Sequence, residues 1–257
     1  MAVSAAPSLS RSAAHELDRA LARADAYRIL AVAFRDPDDR DAEGDLDVAG
    51  LRSAVAALGS PLTPPRARAL RRPCRARGDP AEHRAIFGHT VAHGCPPYET
   101  EYGRRHVFGQ SQELGDIRGF YEAFGVRPRS GGERPDHAAY ELEFLALLAL
   151  KEAIALAAGD DERRGICRDA AAQFLTEHAG RWLPAMAGRI ASRVPGSGYA
   201  AAAAVAAAVV AAHASELRAT PQPLDPDDLV PITEEPDGLR FECAVTDGAD
   251  VVPPGGD

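Results

Sequence analysis

The sequence predicts an all-α fold, a single-domain bundle of roughly eight to ten helices. Apolar residues recur at the helical spacing of about 3.6 residues through almost every patterned segment. The sequence shows no convincing strand alternation and no internal repeat. Hydrophobic residues occupy 46% of the 257 positions, which is enough to build one substantial core and argues against a disordered chain.

The first part of the chain contains four segments with a helical pattern. Residues 15–34 predict a long amphipathic helix ended by an Asp-Pro pair, and residues 51–58 a shorter one ended by glycine. Between them, residues 36–47 hold seven acids among twelve positions and predict a solvated loop. Residues 64–77 carry six arginines and no acid, and residues 81–93 predict the next helix.

The second part of the chain is also helical in pattern. Residues 113–125 predict a short helix that ends at a glycine. Residues 135–158 predict the central helix, which opens with a proline followed by an acid, a favourable start for a helix. Residues 161–193 predict one long helix, or two broken near Pro184, and residues 199–218 predict the last helix.

The composition changes near residue 220, where we expect the folded domain to end. Residues 1–220 are predicted to form one domain, and residues 221–257 an acidic, proline-rich and mostly irregular tail. Ten acids and one base lie between residues 225 and 257, a balance that does not favour a packed core.

Charge and cysteine content narrow the classes of function. The formal net charge of −9 argues against general binding to nucleic acids or anionic membranes. The four cysteines are widely spaced, and the N-terminus lacks the basic start and apolar run of a signal peptide. Residues 199–212 are apolar but fewer than the ~20 residues that cross a bilayer, so no membrane insertion is expected. These features predict a cytoplasmic protein with reduced thiols.

Two uncommon strings carry most of the functional information. The string at residues 95–103, Cys-Pro-Pro-Tyr-Glu-Thr-Glu-Tyr-Gly, predicts a rigid loop that brings tyrosines and carboxylates together. The string at residues 133–137, Glu-Arg-Pro-Asp-His, opens the central helix. It predicts that Asp136 and His137 lie at the rim of an otherwise apolar helix, an arrangement typical of recognition sites.

These strings belong to a set of five motifs that resemble the TorD/DmsD/NarJ class of redox-enzyme maturation chaperones. The resemblance is greatest to the branch that serves type II enzymes of the dimethyl sulfoxide reductase family. The motifs occur in the family's order and span about half of the chain. They are Pro-Tyr-Glu-x-x-Tyr-Gly at 97–103, Leu-x-Asp-Ile-x-Gly-Phe-Tyr-x-Ala-Phe-Gly at 114–125, Glu-Arg-Pro-Asp-His at 133–137, Glu-Leu-Glu-Phe at 141–144 and Phe-Leu-x-Glu-His-x-x-x-Trp-Leu-Pro at 174–184.

The resemblance implies a TorD-like helical fold and a system-specific chaperone rather than an enzyme. Such a chaperone binds the immature catalytic subunit of a molybdenum oxidoreductase and its twin-arginine leader. It assists cofactor insertion and prevents premature export. The implied partner is the catalytic subunit of a type II dimethyl sulfoxide reductase-family enzyme. We expect no permanently bound cofactor, a transient contact at most with molybdopterin guanine dinucleotide or a guanine nucleotide, and a monomer or weak homodimer.

The candidate cargo-binding residues come from these motifs. Glu99, Glu101 and Asp136 offer carboxylates to an arginine pair, because guanidinium and carboxylate match in bidentate geometry. Their aromatic neighbours are candidates to line a groove for the apolar part of the leader. The full predicted set is Tyr98, Glu99, Glu101, Tyr102, Asp116, Phe120, Tyr121, Phe124, Pro135, Asp136, His137 and Glu141. A structural interpretation stands beside this one, since Asp136 can cap a helix and the aromatics can be core.

Two further clusters have weaker functional interpretations. His83, His89, His93 and Cys95 form a metal-like group, but their spacing is irregular for zinc and we assign no metal. The alternative function is a small helical metal-dependent hydrolase that uses His89, His93 or His137. The arginine-rich segment fits a solvated helix face better than a site for a phosphate-bearing ligand.

Overall fold

The computed structural model describes residues 10–38, 46–60, 63–70, 80–88, 94–103, 107–129 and 132–229. These residues form nine α-helices and one short 3-10 helix at Glu99–Glu101, and they contain no β-strand beyond two isolated bridges. The predicted all-α fold is therefore confirmed. The helices are α1 (Arg11–Phe34), α2 (Val48–Ala57), α3 (Pro64–Leu70), α4 (Pro80–Phe87), α5 (Val107–Ala123), α6 (Ala138–Ala158), α7 (Asp161–Glu177), α8 (Ala179–Arg193) and α9 (Gly198–Leu217).

The core lies between the long helices of the bundle. α1 packs along α6, and α8 packs along α9. The apolar stripe of α6, which includes Leu142, Leu145 and Leu148, is buried, as are Tyr27 of α1 and Trp182 of α8. Each large apolar side chain that is fully buried stabilises the fold by about 1.5–3 kcal/mol. The helices therefore form a firm scaffold for the loops that carry the motifs.

Local side-chain chemistry sets several helix ends. Ser10 accepts a hydrogen bond from the Ala13 amide at the start of α1, and Ser197 accepts one from the Ala200 amide at the start of α9. These bonds satisfy amides that have no partner within the helix. α6 ends at Gly159, which adopts a left-handed conformation with φ 66° that glycine tolerates without strain.

The segment 161–193 forms two helices, and the break lies at His178 rather than near Pro184. His178 leaves the helical region with φ −126° and ψ −102°, whereas Pro184 lies inside α8. The departure turns the imidazole into the core, where its Nδ1 atom lies 3.1 Å from Glu99 Oε2. A contact between distant parts of the chain thus accompanies the break, and the local pattern around the proline does not reveal it.

Other predicted ranges differ from the structure at their ends. α5 begins at Val107, earlier than its predicted start at residue 113. The predicted helices at 64–77 and 81–93 are present as α3 and α4, but residues 71–79 and 89–93 lie outside the described residues. The solvated loop predicted at residues 36–47 is described only at its two ends.

The predicted tail is described only in its first residues. Residues 221–229 run along the bundle, where the Leu224 amide donates to the Arg181 carbonyl at 3.0 Å and the Gly103 amide donates to the Asp228 carbonyl at 2.6 Å. Residues 230–257 lie outside the described residues. The domain boundary at residue 220 stays a prediction.

α9 is the one helix in the described part of the chain that is long and apolar enough to cross a membrane by composition alone. Its most apolar window is 56% buried against the rest of the protein, and core helices pass the same test. Ala203, Val205 and Val210 are among the α9 side chains that pack in the hydrophobic core. This packing agrees with the predicted role of the segment as a core helix.

Candidate functional site

The two strings singled out in the sequence lie side by side in the structure. Tyr98 and His137 form an antiparallel bridge, and the Glu99 amide donates to the Asp136 carbonyl at 2.9 Å. The Ala138 amide donates to the Pro97 carbonyl at 2.8 Å. These backbone bonds join the proline-rich loop to the start of α6, and so create one polar unit from two distant motifs.

Asp136 is the centre of this polar unit. Its carboxylate is fully buried and accepts from both the amide and the hydroxyl of Thr100, at 3.1 and 2.8 Å. The Arg134 guanidinium also donates to it, through Nε at 3.0 Å and Nη2 at 2.7 Å. Arg134 reaches Glu101 at 2.9 Å as well, and lies over the Tyr98 ring at 4.4 Å. Arg134 thereby neutralises Asp136 and Glu101, two of the acids that were predicted to pair with cargo arginines.

α6 begins at Ala138, so Pro135 and Asp136 precede the helix instead of forming its first turn. His137 is the N-cap residue, and its Nδ1 atom accepts a hydrogen bond from the Ala139 amide at 3.2 Å. The alternative role of Asp136 as the helix cap is therefore not the one observed, because its carboxylate is bonded to Thr100 and Arg134. Burial lowers the pKa of His137 to about 4, which keeps the imidazole neutral and able to accept.

A second buried polar group lies behind the first. Glu141 accepts from the Trp182 indole at 2.8 Å, and Glu99 contacts His178 Nδ1 at 3.1 Å. Burial and the nearby charge of Glu99 raise the pKa of Glu141 well above its ordinary value. Burial also raises the pKa of Glu99, but its contact with His178 opposes the rise. Both buried carboxyl groups thus have raised pKa values, and a hydrogen-bond partner lies beside each, Trp182 for Glu141 and His178 for Glu99.

An open cleft of about 430 Å³ lies beside His137, between the start of α6 and the chain that follows α5. Its apolar lining includes Tyr121, Phe144 and Leu147. Glu133 and Glu143 add carboxylates to the same lining. The size and the mixture of an apolar floor with a few charged groups are those of a ligand or peptide site.

Comparison with known proteins links this site to a family. The family model described as the nitrate reductase delta subunit matches residues 77–188 of this chain. The predicted family resemblance is confirmed. All five motifs lie within the matched residues, and so do the polar unit around Asp136 and most of the cleft lining.

Two curated relatives match about the same length of chain. The selenate reductase assembly chaperone protein of Thauera selenatis is 36% identical over 114 residues, which are 44% of this chain and 57% of that protein. The chlorate reductase assembly chaperone protein of Ideonella dechloratans is 36% identical over 115 residues, covering 44% and 58%. The match thus spans less than two thirds of either relative. No solved structure gives a significant match to this chain.

Within the family segment, the predicted cargo-binding residues divide by exposure. Asp116 is exposed, and Tyr98, Glu101, Phe120 and Phe124 are partly buried. The buried members of the set are Glu99, Tyr102, Tyr121, Pro135, Asp136, His137 and Glu141. Of the whole set, Tyr121 and His137 line the cleft. A cargo contact at any of these residues stays a prediction.

The aromatic members of the set form a cluster around Phe144. Tyr121, Phe124 and Phe120 lie with their ring centroids 4.9, 5.8 and 6.4 Å from the Phe144 ring. Phe174 of α7 joins them at 4.9 Å. Aromatic packing of this kind stabilises a core, and two members of the cluster, Tyr121 and Phe144, also line the cleft.

Three residues of the site were not assigned a role from the sequence. Arg134 lies inside the Glu-Arg-Pro-Asp-His motif, between Glu133 and Asp136. This position between two acids is the sequence signal that could have indicated its pairing role. Glu143 lies inside the Glu-Leu-Glu-Phe motif at 141–144. Arg35 pairs with Glu143 across the cleft and comes from α1's C-terminal end, with no sequence signal to connect the two.

The other predicted clusters are only partly described. His83 is buried, with Nε2 3.5 Å from the Phe34 carbonyl, and Cys95 is buried as a free thiol. His89 and His93 lie outside the described residues, so the metal-like group and the hydrolase alternative are untested there. Arg66 and Arg68 of the arginine-rich segment are exposed on α3, and its remaining arginines also lie outside the described residues.

Proposed function

We propose that this chain is a cytoplasmic, non-enzymatic chaperone that binds the immature catalytic subunit of a molybdenum oxidoreductase. It holds that subunit for insertion of the molybdopterin guanine dinucleotide cofactor and covers its twin-arginine leader until folding is complete. The observation that carries the proposal is the placement of the family motifs. Three of the five motifs, at 114–125, 133–137 and 141–144, contribute residues to one open cleft. The family model covers all five motifs, and the two curated relatives that are 36% identical to part of this chain are named as assembly chaperones of selenate and chlorate reductases.

The cleft supports a leader-binding role through its shape and its chemistry. A twin-arginine leader offers two arginines followed by an apolar run. The cleft offers an apolar wall and three carboxylates, and three arginines share the same lining. We propose that the apolar run packs against Leu147 and Phe144, and that the arginines pair with Glu133 and Glu143. Asp136 is a poorer partner than these two, because its carboxylate is fully buried and bonded to Arg134. Glu143 is also paired, with Arg35, but about a third of its side chain remains exposed, at 34%.

A chaperone that releases its cargo after assembly must prefer the immature form. Binding shifts an equilibrium only as far as the affinities for two states differ. In this proposal, folding of the cargo around its cofactor removes the contacts that the chaperone makes with the cargo outside the leader, and the cargo is then released. The chaperone holds no permanent organic cofactor, and it contacts molybdopterin guanine dinucleotide or a guanine nucleotide only transiently.

Paired leucine variants on α6 test whether the cleft binds the leader. Leu147 lines the cleft, whereas Leu150 lies on the same helix with 43% of its surface exposed. Burial of a leucine is worth about 1.5–3 kcal/mol, so Leu147→Arg should weaken binding of a leader peptide by roughly 10-fold or more. Leu150→Arg should leave it unchanged. Isothermal titration with the leader of a molybdoenzyme encoded near this chain measures both, and equal affinities for the two variants would exclude the cleft.

Changes in the leader test the role of its arginines. Replacing both by lysine keeps the charge but loses the bidentate fork, so affinity should fall, and replacing both by glutamine should lower it further. Added salt should weaken the charged part of the binding and leave the apolar part.

The wider proposal is tested by co-expression, in which the full catalytic subunit should co-purify with the chaperone before cofactor insertion and separate from it afterwards. No association with the immature subunit would refute the chaperone role.

A further inference from the structure

A second cavity lies away from the cleft, between α5 and the junction of α7 with α8. It has a volume of about 580 Å³ and opens to solvent. Its lining includes Asp116 of α5, Glu177 at the end of α7, and His178 at the helix break. The proposed leader site uses none of these three residues.

His178 presents a nitrogen atom without a hydrogen-bond partner to this cavity. Its side chain is 3% exposed, and Nδ1 lies 3.1 Å from the Glu99 carboxylate. Nδ1 is therefore engaged by Glu99, and Nε2 is the ring nitrogen left to bind a ligand. Nε2 is buried and makes no hydrogen bond within the part of the chain that the structure describes, and Asp116 Oδ2 lies 3.7 Å away, beyond hydrogen-bond distance. A buried polar atom left without a partner is costly, so the site has an unused capacity to bind.

The imidazole is held firmly in this orientation. The rings of Phe120 and Phe174 lie with centroids 5.5 and 5.1 Å from it. Glu99, whose carboxylate contacts Nδ1, is itself 1% exposed. In metal proteins a ligating histidine usually donates its other ring N–H to a carboxylate, which fixes both the tautomer and the ring direction. The pair formed by Glu99 and His178 has this arrangement.

Two carboxylates complete a set of ligand atoms around Nε2. One oxygen each from Asp116 and Glu177 and one nitrogen of His178 all lie within 4.8 Å of one another. In a tetrahedral zinc site the ligand atoms are about 3.3 Å apart, given bond lengths of about 2.0–2.1 Å. The Asp116 side chain is 63% exposed and can rotate to close this gap. Glu177 is exposed too, and accepts only long hydrogen bonds from Gln173 at 3.3 and 3.4 Å.

We propose that Asp116, Glu177 and His178 bind a divalent cation of the Zn²⁺ class. An imidazole ligand favours zinc and its neighbours in the first transition series over Mg²⁺ or Ca²⁺, which prefer oxygen alone. The charges of Glu99 and of Glu113, which also lines the cavity, favour a cation there, while Arg181 of the same lining opposes it. Three protein ligands leave a further position open to the cavity.

Binding of the ion would join α5 to the α7–α8 junction. Asp116 belongs to the second family motif and His178 to the fifth, so the ion would connect two motifs that the leader site leaves apart. A ligand that binds only the folded state stabilises it in proportion to the logarithm of its concentration over Kd. The site would thus make the stability of this chaperone depend on metal supply.

Titration of the full chain with ZnCl₂ after treatment with a chelator tests the proposal. We expect one Zn²⁺ per chain, and at least 10-fold weaker binding for Asp116→Asn and for Glu177→Gln. The matched controls are Glu122→Gln on α5 and Glu162→Gln on α7, which are exposed acids outside the cavity and should bind as the wild type does. MgCl₂ should bind far more weakly than ZnCl₂. Both test residues are exposed, so the variants should fold, and circular dichroism checks this.

Several results would overturn the site. Absence of Zn²⁺ binding by the wild type would do so, as would unchanged affinity in both Asp116→Asn and Glu177→Gln. Loss of binding in His89→Gln or His93→Gln, with Asp116→Asn unaffected, would assign the ion to the histidine cluster instead. Equal affinity for Mg²⁺ would refute the cation class. A rise in melting temperature with Zn²⁺ that occurs in the wild type and disappears in Asp116→Asn would give independent support.

Discussion

His137 should make this protein less stable as the pH falls below neutrality. Its imidazole is 2% exposed, and Nδ1 must stay unprotonated to accept the Ala139 amide at the start of α6. Burial is the main cause that lowers its pKa from 6.5 to about 4, although Glu133 and Asp136 act in the opposite direction. A base with a lowered pKa in the folded state contributes stability above pH 6.5, and that contribution is lost as the pH falls toward 4.

The size of the effect follows from the difference between the two pKa values. Each unit corresponds to about 1.4 kcal/mol, so the change from 6.5 to about 4 is worth about 3 kcal/mol in total. About 2 kcal/mol of this is lost between pH 8 and pH 5, where the unfolded chain already binds the proton and the folded protein does not. His137→Asn removes the titration and keeps an oxygen that can cap the helix.

Urea unfolding followed by circular dichroism at a series of pH values measures this contribution. The difference in unfolding free energy between wild type and His137→Asn should shrink by about 2 kcal/mol from pH 8 to pH 5. His83 and His213 are also buried with lowered pKa values, but they remain in both proteins and cancel in the difference. His15→Asn, at an exposed position of α1, is the matched control and should leave the pH profile unchanged. A constant difference between wild type and His137→Asn would refute the reasoning.

Two further predictions concern the buried acids. Arg134→Met should destabilise the fold by about 2–4 kcal/mol, because it leaves the buried Asp136 carboxylate without its cation, and the 41% exposure of Arg134 keeps the loss from being larger. The control Arg127→Met removes an exposed ion pair and should cost under about 1 kcal/mol. In urea unfolding, Asp136→Asn added to Arg134→Met should recover part of the larger loss. Glu141→Gln should become more stable than the wild type as the pH rises above 4.5. The raised folded-state pKa of Glu141 gives the wild type stability that is present below pH 4.5 and lost at higher pH, whereas the glutamine does not titrate and its amide oxygen still accepts from Trp182. Parallel slopes of unfolding free energy against pH for the two proteins above pH 5 would contradict this.

The helices could be predicted because their information is local. The apolar stripe of α6 is visible in the sequence and is buried as expected, and the helix ends at Ala158, where the pattern placed its end. The starts and breaks of helices were less predictable where a distant partner decides them. α6 begins after Asp136 because Thr100 and Arg134 bind that carboxylate, and the α7–α8 break lies where His178 turns toward Glu99.

The site was predictable as a set of motifs but not as a geometry. The sequence indicated that the loop at 95–103 and the string at 133–137 act together, and backbone bonds do join them. It did not reveal that Arg134 lies between their acids, because pairing depends on burial and direction, which periodicity does not encode. The cleft was missed for a similar reason, since Arg35 and Glu143 meet there from separate helices.

The division of the motifs into buried and exposed residues decides which experiments can report on recognition. A variant that removes the Asp136 carboxylate leaves Arg134 and Thr100 without their buried partner, and the resulting loss of stability lowers binding whether or not Asp136 touches cargo. Such variants therefore cannot separate recognition from folding. Side chains at the cleft, such as Leu147 and Glu133, contribute less to the stability of the free protein. A change in affinity on substitution there is therefore attributable to a lost contact with the ligand. The buried motif residues therefore report on folding, and the side chains that line the cleft are the ones at which the proposed binding can be measured.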